Sequence, residues 1–95
     1  MSNRDAYVAK IQAKLDAWNA DIDKLEAKAR AAQADARITL DQKLNELRSK
    51  RDEAAAKLQA LRSAADDAWE DLKAGVELAW ESLSESLQSA KSHFA

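Results

Sequence analysis

The chain has 95 residues, with 17 Asp and Glu against 15 Lys and Arg, one Gly, no Pro and no Cys. A chain of this length encloses one small core, so we expect a single domain over residues 1–95. The lack of Cys excludes disulfides and thiolate metal sites, and no stretch alternates apolar and polar residues as a strand would. Such charged, alanine-rich usage is typical of long helices and coiled coils, and it predicts an all-α fold.

The N-terminal segment predicts a helix with an apolar stripe along it. Ser2 is a predicted N-cap, and Asp5 follows in the first turn, where an acid suits the helix dipole. Apolar residues then recur every three or four positions, which keeps one stripe facing a partner helix. The stripe consists of Val8, Ile11, Leu15, Trp18, Ile22, Leu25, Ala29, Ala32 and Ala36.

A second apolar stripe follows after a change of register. It steps through Leu40 and Leu44 before the regular spacing resumes at Leu47, Arg51, Ala54, Leu58 and Leu61. The four extra residues form a stutter, which relaxes a supercoil locally without requiring a turn. The two stripes together therefore predict one long arm over about residues 3–62.

Two places in the chain carry signals for a break. The first lies near residues 63–66, where Ser63 and Asp66 have the spacing of a capping box. The second lies near residues 35–41, within the stutter, where Thr39 and Gln42 have the same spacing. A break at the first place gives an antiparallel hairpin, with a second arm over about residues 66–94, and breaks at both give a three-helix bundle. We favour the hairpin.

The distribution of charge supports an antiparallel hairpin. Residues 1–65 hold 13 Lys and Arg against 10 acids, whereas residues 66–95 hold two against seven. Docking the second arm on the basic residues 43–62 pairs opposite charges. Because a helix of sixty residues is about 90 Å long, the shorter arm leaves the stripe from Val8 to Leu25 exposed. An exposed stripe of that size predicts a homo-oligomer, most simply a two-fold dimer, or an unidentified protein partner.

The second arm carries an eleven-residue repeat. The segment Ala68-Trp69-Glu70-Asp71-Leu72 is followed by Ala79-Trp80-Glu81-Ser82-Leu83. Since eleven residues are close to three helical turns, the large apolar residues share one face. That face holds Trp69, Leu72, Val76, Trp80, Leu83, Leu87 and Phe94. It suits either a packed core or a helix lying on a membrane surface; we favour the core, because the seven acids of this arm repel anionic headgroups.

The single glycine falls inside the second arm. Gly75 costs about 1 kcal/mol relative to Ala in a helix. Two interpretations remain open at the level of sequence. Either the glycine permits close approach of the neighbouring arm, or it is neutral.

No pattern in the chain indicates chemistry. Catalysis needs a nucleophile or base with an orienting partner in a pocket that excludes water, and His93 stands alone in the final turn. No Glu-x-x-His motif suggests a metal, and one Gly cannot form a phosphate loop. The basic cluster at residues 48–51 is interrupted by neighbouring acids, so we expect no nucleic-acid partner. We predict a protein that is not an enzyme and has no catalytic residues, no metal site and no cofactor.

No targeting signal is visible in the sequence. The first residues run directly into the amphipathic pattern, and no segment approaches the roughly 20 apolar residues of a membrane span. We therefore expect a cytoplasmic protein.

Several segments resemble a family of short bacterial coiled-coil proteins of proteobacteria and cyanobacteria, labelled hypothetical or stress-response. The similarity runs through residues 5–10, 15–20, 23–29 and 68–77, and thus over nearly the whole chain. Its most specific part is Ala68-Trp69-Glu70-Asp71-Leu72-Lys73-Ala74-Gly75-Val76. The resemblance implies a helical, non-enzymatic protein with a role under stress, and it supplies no catalytic residues.

Overall fold

The computed structural model describes residues 3–94, except for the side chain of Phe94. Over these residues the chain forms three α-helices and no strand, so the predicted all-α class is confirmed. Helix α1 is Asn3–Ala31, α2 is Ala34–Arg62 and α3 is Trp69–Phe94. The predicted N-cap Ser2 and the predicted core side chain of Phe94 lie outside what the structure describes.

The three helices run alternately up, down and up in one elongated bundle. Arg62 near the end of α2 donates a hydrogen bond to Gln12 near the start of α1, so these two helices are antiparallel. Helix α3 begins beside the start of α1, because the ring of Trp69 lies 6.1 Å from that of Tyr7. The bundle measures 51 × 21 × 17 Å, which agrees with the length of about 43 Å for a helix of 29 residues.

The first break lies at Ala32 and Gln33, so the predicted arm over residues 3–62 is two helices rather than one. This is the three-helix alternative, with its break just before the predicted range of 35–41. The predicted capping box of Thr39 and Gln42 is wrong, because α2 begins at Ala34 with Gln33 at its N-cap and Thr39 lies inside it. Leu40, the next residue, belongs to the core with only 8% of its surface exposed. A break at Thr39 would remove Leu40 from the buried stripe of α2.

Burial of the α1 stripe explains why the chain turns back so early. Ile11, Leu15, Ile22 and Leu25 are all buried inside the single chain. Each such side chain stabilises the fold by about 1.5 to 3 kcal/mol. The few backbone hydrogen bonds lost at the turn cost about 1 kcal/mol each, so the turn is favourable.

The burial of this stripe removes the premise from which self-association was predicted. The stripe from Val8 to Leu25 is not exposed to solvent, since its large aliphatic residues pack on the other two helices. Val8 and Trp18 are only partly buried, and both pack against the core. The oligomeric state itself remains a prediction.

The second break covers residues 63–68. Ser63 ends α2 with φ −94° and ψ 3°, and the amide of Ala64 donates to the carbonyl of Leu61. The predicted capping box of Ser63 with Asp66 is therefore wrong, because Ser63 terminates α2 and α3 starts only at Trp69. The side chain of Asp66 instead pairs with Arg4 at 3.0 Å. The local signal located the break but misassigned the residue that caps it.

The core is a column of aliphatic side chains from all three helices. Helix α1 gives Ile11, Leu15, Ile22, Leu25 and Ala29; α2 gives Leu40, Leu44, Leu47, Ala54, Leu58 and Leu61; α3 gives Val76, Ala79, Leu83, Leu87 and Ala90. Helix α3 packs mainly on α2 and approaches α1 at few positions. The small residues of α3, Ala79 and Ala90, alternate with large ones and let the helices lie close together.

The charges are arranged differently from the predicted pairing of α3 with residues 43–62. Within residues 3–94, the ion pairs that join different elements all include α1. They are Arg4 with Asp66, Arg48 with Glu26, and Lys91 with Asp21. Helix α3 is antiparallel to α2 as expected, but apolar packing holds it there.

Candidate functional site

All four aromatic side chains that the structure describes lie along the contact between α1 and α3, which we call the aromatic seam. Tyr7 and Trp18 come from α1, and Trp69 and Trp80 come from α3. The indoles of Trp18 and Trp80 stack with centroids 3.9 Å apart and planes 18° apart. Tyr7 and Trp69 meet edge to face at 75°. Both arrangements are favourable for aromatic pairs.

Equal spacing on the two helices brings these rings together. Tyr7 and Trp18 are eleven residues apart, as are Trp69 and Trp80. Because α1 and α3 run in the same direction, equal spacing aligns both pairs at once. The aromatic seam therefore fixes the register of α3 against α1.

Cationic side chains lie over three of the four rings. The guanidinium of Arg4 lies 4.5 Å from the Trp69 ring centroid, and Lys14 Nζ lies 4.9 Å from that of Trp80. Lys73 Nζ lies 5.0 Å from the centroid of Tyr7. These cation–π contacts shield the partly exposed rings from water while their charged ends stay hydrated.

The hydroxyl of Tyr7 faces an acid on α3. It donates a long hydrogen bond of 3.4 Å to Glu77 Oε1. Partial burial, followed by the charge of Glu77 and this hydrogen bond, raises the pKa of Tyr7 above its ordinary value. Tyr7 is therefore neutral at physiological pH and is the hydrogen-bond donor to Glu77.

An open groove of about 690 Å³, which we call the end groove, lies where α1 begins and α2 ends. Its apolar lining comes from Val8, Leu61 and Trp69, with three alanines between them. Charged groups of both signs stand around it. The lining residues are Arg4, Asp5, Val8, Ala9, Gln12, Ala13, Asp16, Leu61, Arg62, Ala64 and Trp69.

A polar chain crosses one side of the end groove. Arg62 donates a hydrogen bond of 2.8 Å to Gln12 Oε1, and Gln12 Nε2 donates one of 3.1 Å to Asp16. Gln12 and Arg62 also line a smaller hollow of about 140 Å³ further along the α1–α2 contact. The end groove and the smaller hollow are therefore neighbours on the α1–α2 contact, with the Arg62–Gln12 pair lining both.

Polar contacts between helices occur away from the groove as well. Glu26 of α1 accepts a hydrogen bond of 2.7 Å from Arg48 of α2 and also binds Arg30. The Arg48 hydrogen bond, followed by the charge of Arg30, lowers the pKa of Glu26 below its ordinary value. Lys50 Nζ donates a hydrogen bond of 2.6 Å to the buried hydroxyl of Ser86 on α3. These contacts fix the helices in register.

The described part of the chain brings together no metal-binding group of three or more His, Cys, Asp or Glu side chains. His93 is exposed, and its Nδ1 lies 2.9 Å from the carbonyl oxygen of Ser89 in the same helix. Over residues 3–94, no helix combines the length and apolar character needed to traverse a bilayer.

The structure places the predicted core and interface residues in two groups. Eleven are buried: Ile11, Leu15, Ile22, Leu25, Leu44, Leu47, Leu58, Leu61, Val76, Leu83 and Leu87. Five pack at the edge of the core and stay partly exposed: Val8, Trp18, Trp69, Leu72 and Trp80. The edge group supplies the aromatic seam and part of the end groove.

Sequence reasoning missed several residues of these two sites. Tyr7 was not assigned to an apolar stripe, although its spacing from Trp18 matches the spacing of Trp69 and Trp80. Arg4, Gln12 and Arg62 carry no local signal, because they become neighbours only when the chain turns back at residues 32–33.

The chain folds as an all-α, antiparallel three-helix bundle with an open groove at one end. Comparison of the chain with protein-family profiles, with curated proteins and with solved structures finds no match.

Proposed function

We propose that the chain is a non-enzymatic helical interaction protein that pairs with a second copy of itself through the end groove. The observation that supports this proposal is the groove itself, about 690 Å³ in volume and lined by Val8, Leu61 and Trp69. A partly exposed tryptophan beside aliphatic side chains is the composition found at the centre of protein interfaces.

The shape of the groove favours a helix as the bound element. It is open along one side and lies between two antiparallel helices, where the side chains of a further helix can enter. Alanines at positions 9, 13 and 64 line it and leave space for larger side chains. Amphipathic helices commonly bind in such grooves.

The charges around the groove favour a second copy as the partner. Arg62 and Asp16 stand on the same groove, joined by Gln12. In a two-fold interface the same surface is used twice, so a surface with both signs can pair each group with its opposite on the other copy. Electrostatic complementarity of this kind also favours one register over others.

Sedimentation equilibrium over a range of concentrations tests the proposal. The wild type should shift from monomer to dimer as its concentration rises. Ala13→Glu places a long charged side chain in the groove and should keep the chain monomeric, while Ala20→Glu, on an exposed part of α1 outside the groove, should behave as wild type. A wild type that stays monomeric, or a dimer that tolerates Ala13→Glu, would refute the proposal.

A lipid surface is the second candidate partner. It is favoured by the position of Trp18 and Trp80, which lie on the contact with the least packing between helices. Separation of α1 from α3 would expose the rings of Trp18 and Trp80 to a membrane surface, while α3 stayed packed on α2. Vesicles should then shift the tryptophan emission to the blue and abolish the signal of the stacked pair. Unchanged spectra with zwitterionic and anionic vesicles would exclude this candidate.

A cytoplasmic location and a role under stress complete the proposal. The stress role is supported by the resemblance of residues 5–10, 15–20, 23–29 and 68–77 to stress-response coiled-coil proteins. Cell fractions probed before and after osmotic and oxidative stress test both. The protein should be found in the cytoplasmic fraction and rise in amount under stress; a constant amount in both conditions would contradict the stress role.

A further inference from the structure

The turn between α1 and α2 has little in its sequence to enforce it. It consists of Ala32 and Gln33, flanked by alanines, without Gly or Pro. Gln33 adopts an extended conformation, φ −66° and ψ 156°, and its side chain makes no capping hydrogen bond to α2. Helix starts are usually held by Ser, Thr, Asp or Asn, which provide that bond.

The same residues fit equally well inside a continuous helix. Alanine has the highest helix propensity, and glutamine is also a good helix former. In a continuous helix, the last carbonyls of α1 and the first amides of α2 would bond each other, whereas at the turn they lack those partners. In agreement with a continuous helix, the heptad pattern of apolar residues runs from α1 into α2 without a helix-termination signal at residues 32–33.

We infer that α1 and α2 can join into one helix, and that two copies of the chain then exchange their α1 helices to form a dimer. The partner is a second copy of this chain, and the interaction surface is the stripe of α1 packed on α2 and α3 of the other copy. The exchanged dimer goes beyond pairing through the end groove, because it changes the conformation of each chain.

Exchange preserves the contacts that hold α1 in the bundle. The stack of Trp18 on Trp80 and the hydrogen bond from Arg48 to Glu26 form again, but between copies. Only the turn differs between the two states, and short hinge loops favour this kind of exchange. High protein concentration therefore favours the exchanged dimer by mass action.

Release of α1 is the step that exchange requires, and the bundle permits it. Helix α1 shares its larger contact with α2 and meets α3 at few positions, whereas the contact between α2 and α3 is the most extensive of the three. Helix α1 can thus separate while α2 and α3 remain packed as a pair.

Cross-linking within a dimer tests the exchange, and the lack of native Cys makes introduced thiols unique. Asn19 and Arg51 meet at 3.4 Å across α1 and α2. In a continuous helix, the two positions within one chain would lie about 48 Å apart. The variant N19C/R51C is unfolded, refolded at high concentration, and its dimer fraction is treated with a short bismaleimide. Exchange predicts covalent dimers in a denaturing gel, and cross-links confined to single chains would overturn it.

Two hinge variants provide matched controls with opposite effects. Ala34→Pro places proline at the first position of α2, where it is tolerated, and it holds the preceding residue in the extended conformation that Gln33 already has. It should abolish the covalent dimer and leave a folded monomer. Gln33→Ala should increase the dimer fraction, because it raises helix propensity at the hinge. Equal dimer fractions in the two variants would overturn the inference.

The groove variant separates this inference from the proposed function. A dimer that survives Ala13→Glu but disappears in Ala34→Pro arises by exchange. A dimer with the reverse behaviour arises by groove docking, which refutes exchange and leaves the proposed function standing. If refolding at high concentration yields no dimer at all, both are refuted.

Discussion

At the scale of single residues, Trp18 contributes to stability through its contact with Trp80. The stacked rings lie at the edge of the core and are only partly buried. Lys14 covers the outer face of the pair at 4.9 Å from the Trp80 centroid. The pair therefore combines apolar burial with a favourable ring geometry and a cation–π contact.

Trp18→Ala should lower the free energy of unfolding of the monomer by about 2 kcal/mol, roughly half the cost of deleting a fully buried Trp. Denaturant unfolding measures the loss. Ile38→Ala is the control, because Ile38 is 65% exposed and its truncation should change stability by less than about 0.5 kcal/mol. The Trp18→Phe variant should also lose the exciton circular dichroism of the stacked indoles. Equal effects of Trp18→Ala and Ile38→Ala would contradict this role.

Glu26 links stability to acidic pH. Its pKa is lowered in the folded chain, chiefly by the hydrogen bond from Arg48. A carboxylate with a lowered pKa stabilises the fold at pH above its unfolded-state pKa, and this contribution disappears as the pH falls through the lower folded-state pKa. The stabilisation of the fold by Glu26 is therefore lost only at acidic pH.

Glu26→Gln should lower the midpoint of thermal unfolding at neutral pH, and its difference from wild type should vanish in acid. Thermal melts across the acid range measure this. Glu53→Gln is the control, since Glu53 pairs with Lys57 on the same helix and joins no two elements. A difference between Glu26→Gln and wild type that is constant with pH would show that the Arg48 hydrogen bond does not depend on the charge of Glu26.

The residues of the core follow from the sequence better than those of the surface sites. A heptad stripe identifies buried positions such as Leu15 and Leu58 because burial follows from helical periodicity alone. The pairing of Trp18 with Trp80 depends on the register between two helices that are distant in sequence. That register depends on where the chain turns, so periodicity alone does not predict the pair.

At the scale of helices, Gly75 weakens α3 without a structural reason. A Cβ atom placed at this position meets no other atom within 4 Å, so close approach of a neighbouring helix does not explain the glycine. Its φ lies in the helical range, since the described residues include no glycine with positive φ. The interpretation that Gly75 permits close approach is therefore wrong.

Gly75→Ala should stabilise the bundle by about 1 kcal/mol, because it reduces the entropy lost on helix formation and meets no steric barrier. Chemical denaturation gives the magnitude. Its mirror control is Ala74→Gly at the exposed neighbouring position, which should destabilise by a similar amount. A loss of stability in Gly75→Ala would mean that the space beside Gly75 is needed for packing.

The two breaks show which helix boundaries a sequence encodes locally. The break after Arg62 coincides with polar residues, and it was predicted within a few positions. The break at Ala32 and Gln33 has no local signal, because it is favoured by burial of the α1 stripe on α2 and α3. Local sequence patterns do not predict a helix boundary that depends on tertiary packing. The turn at Ala32 and Gln33 is also the one that would become helical if two copies exchanged their α1 helices.

At the scale of the whole molecule, the three contacts between helices are unequal. Helix α2 packs on both neighbours, and its contact with α3 is the most extensive. Helix α1 packs on α2 but meets α3 mainly along the aromatic seam. Local opening follows the weakest set of contacts, so the bundle should open first at α1.

Hydrogen exchange under native conditions should therefore show lower opening free energies for the central amides of α1 than for those of α2 and α3. Increasing denaturant should unfold α1 before the remaining pair. Trp18→Ala should speed exchange in α1 more than in α2, because it removes the ring stack between α1 and α3. Equal protection of all three helices would mean that the bundle opens as one unit. In that case exchange of α1 between copies would require complete unfolding, and the exchanged dimer would form only on refolding and not from the folded monomer.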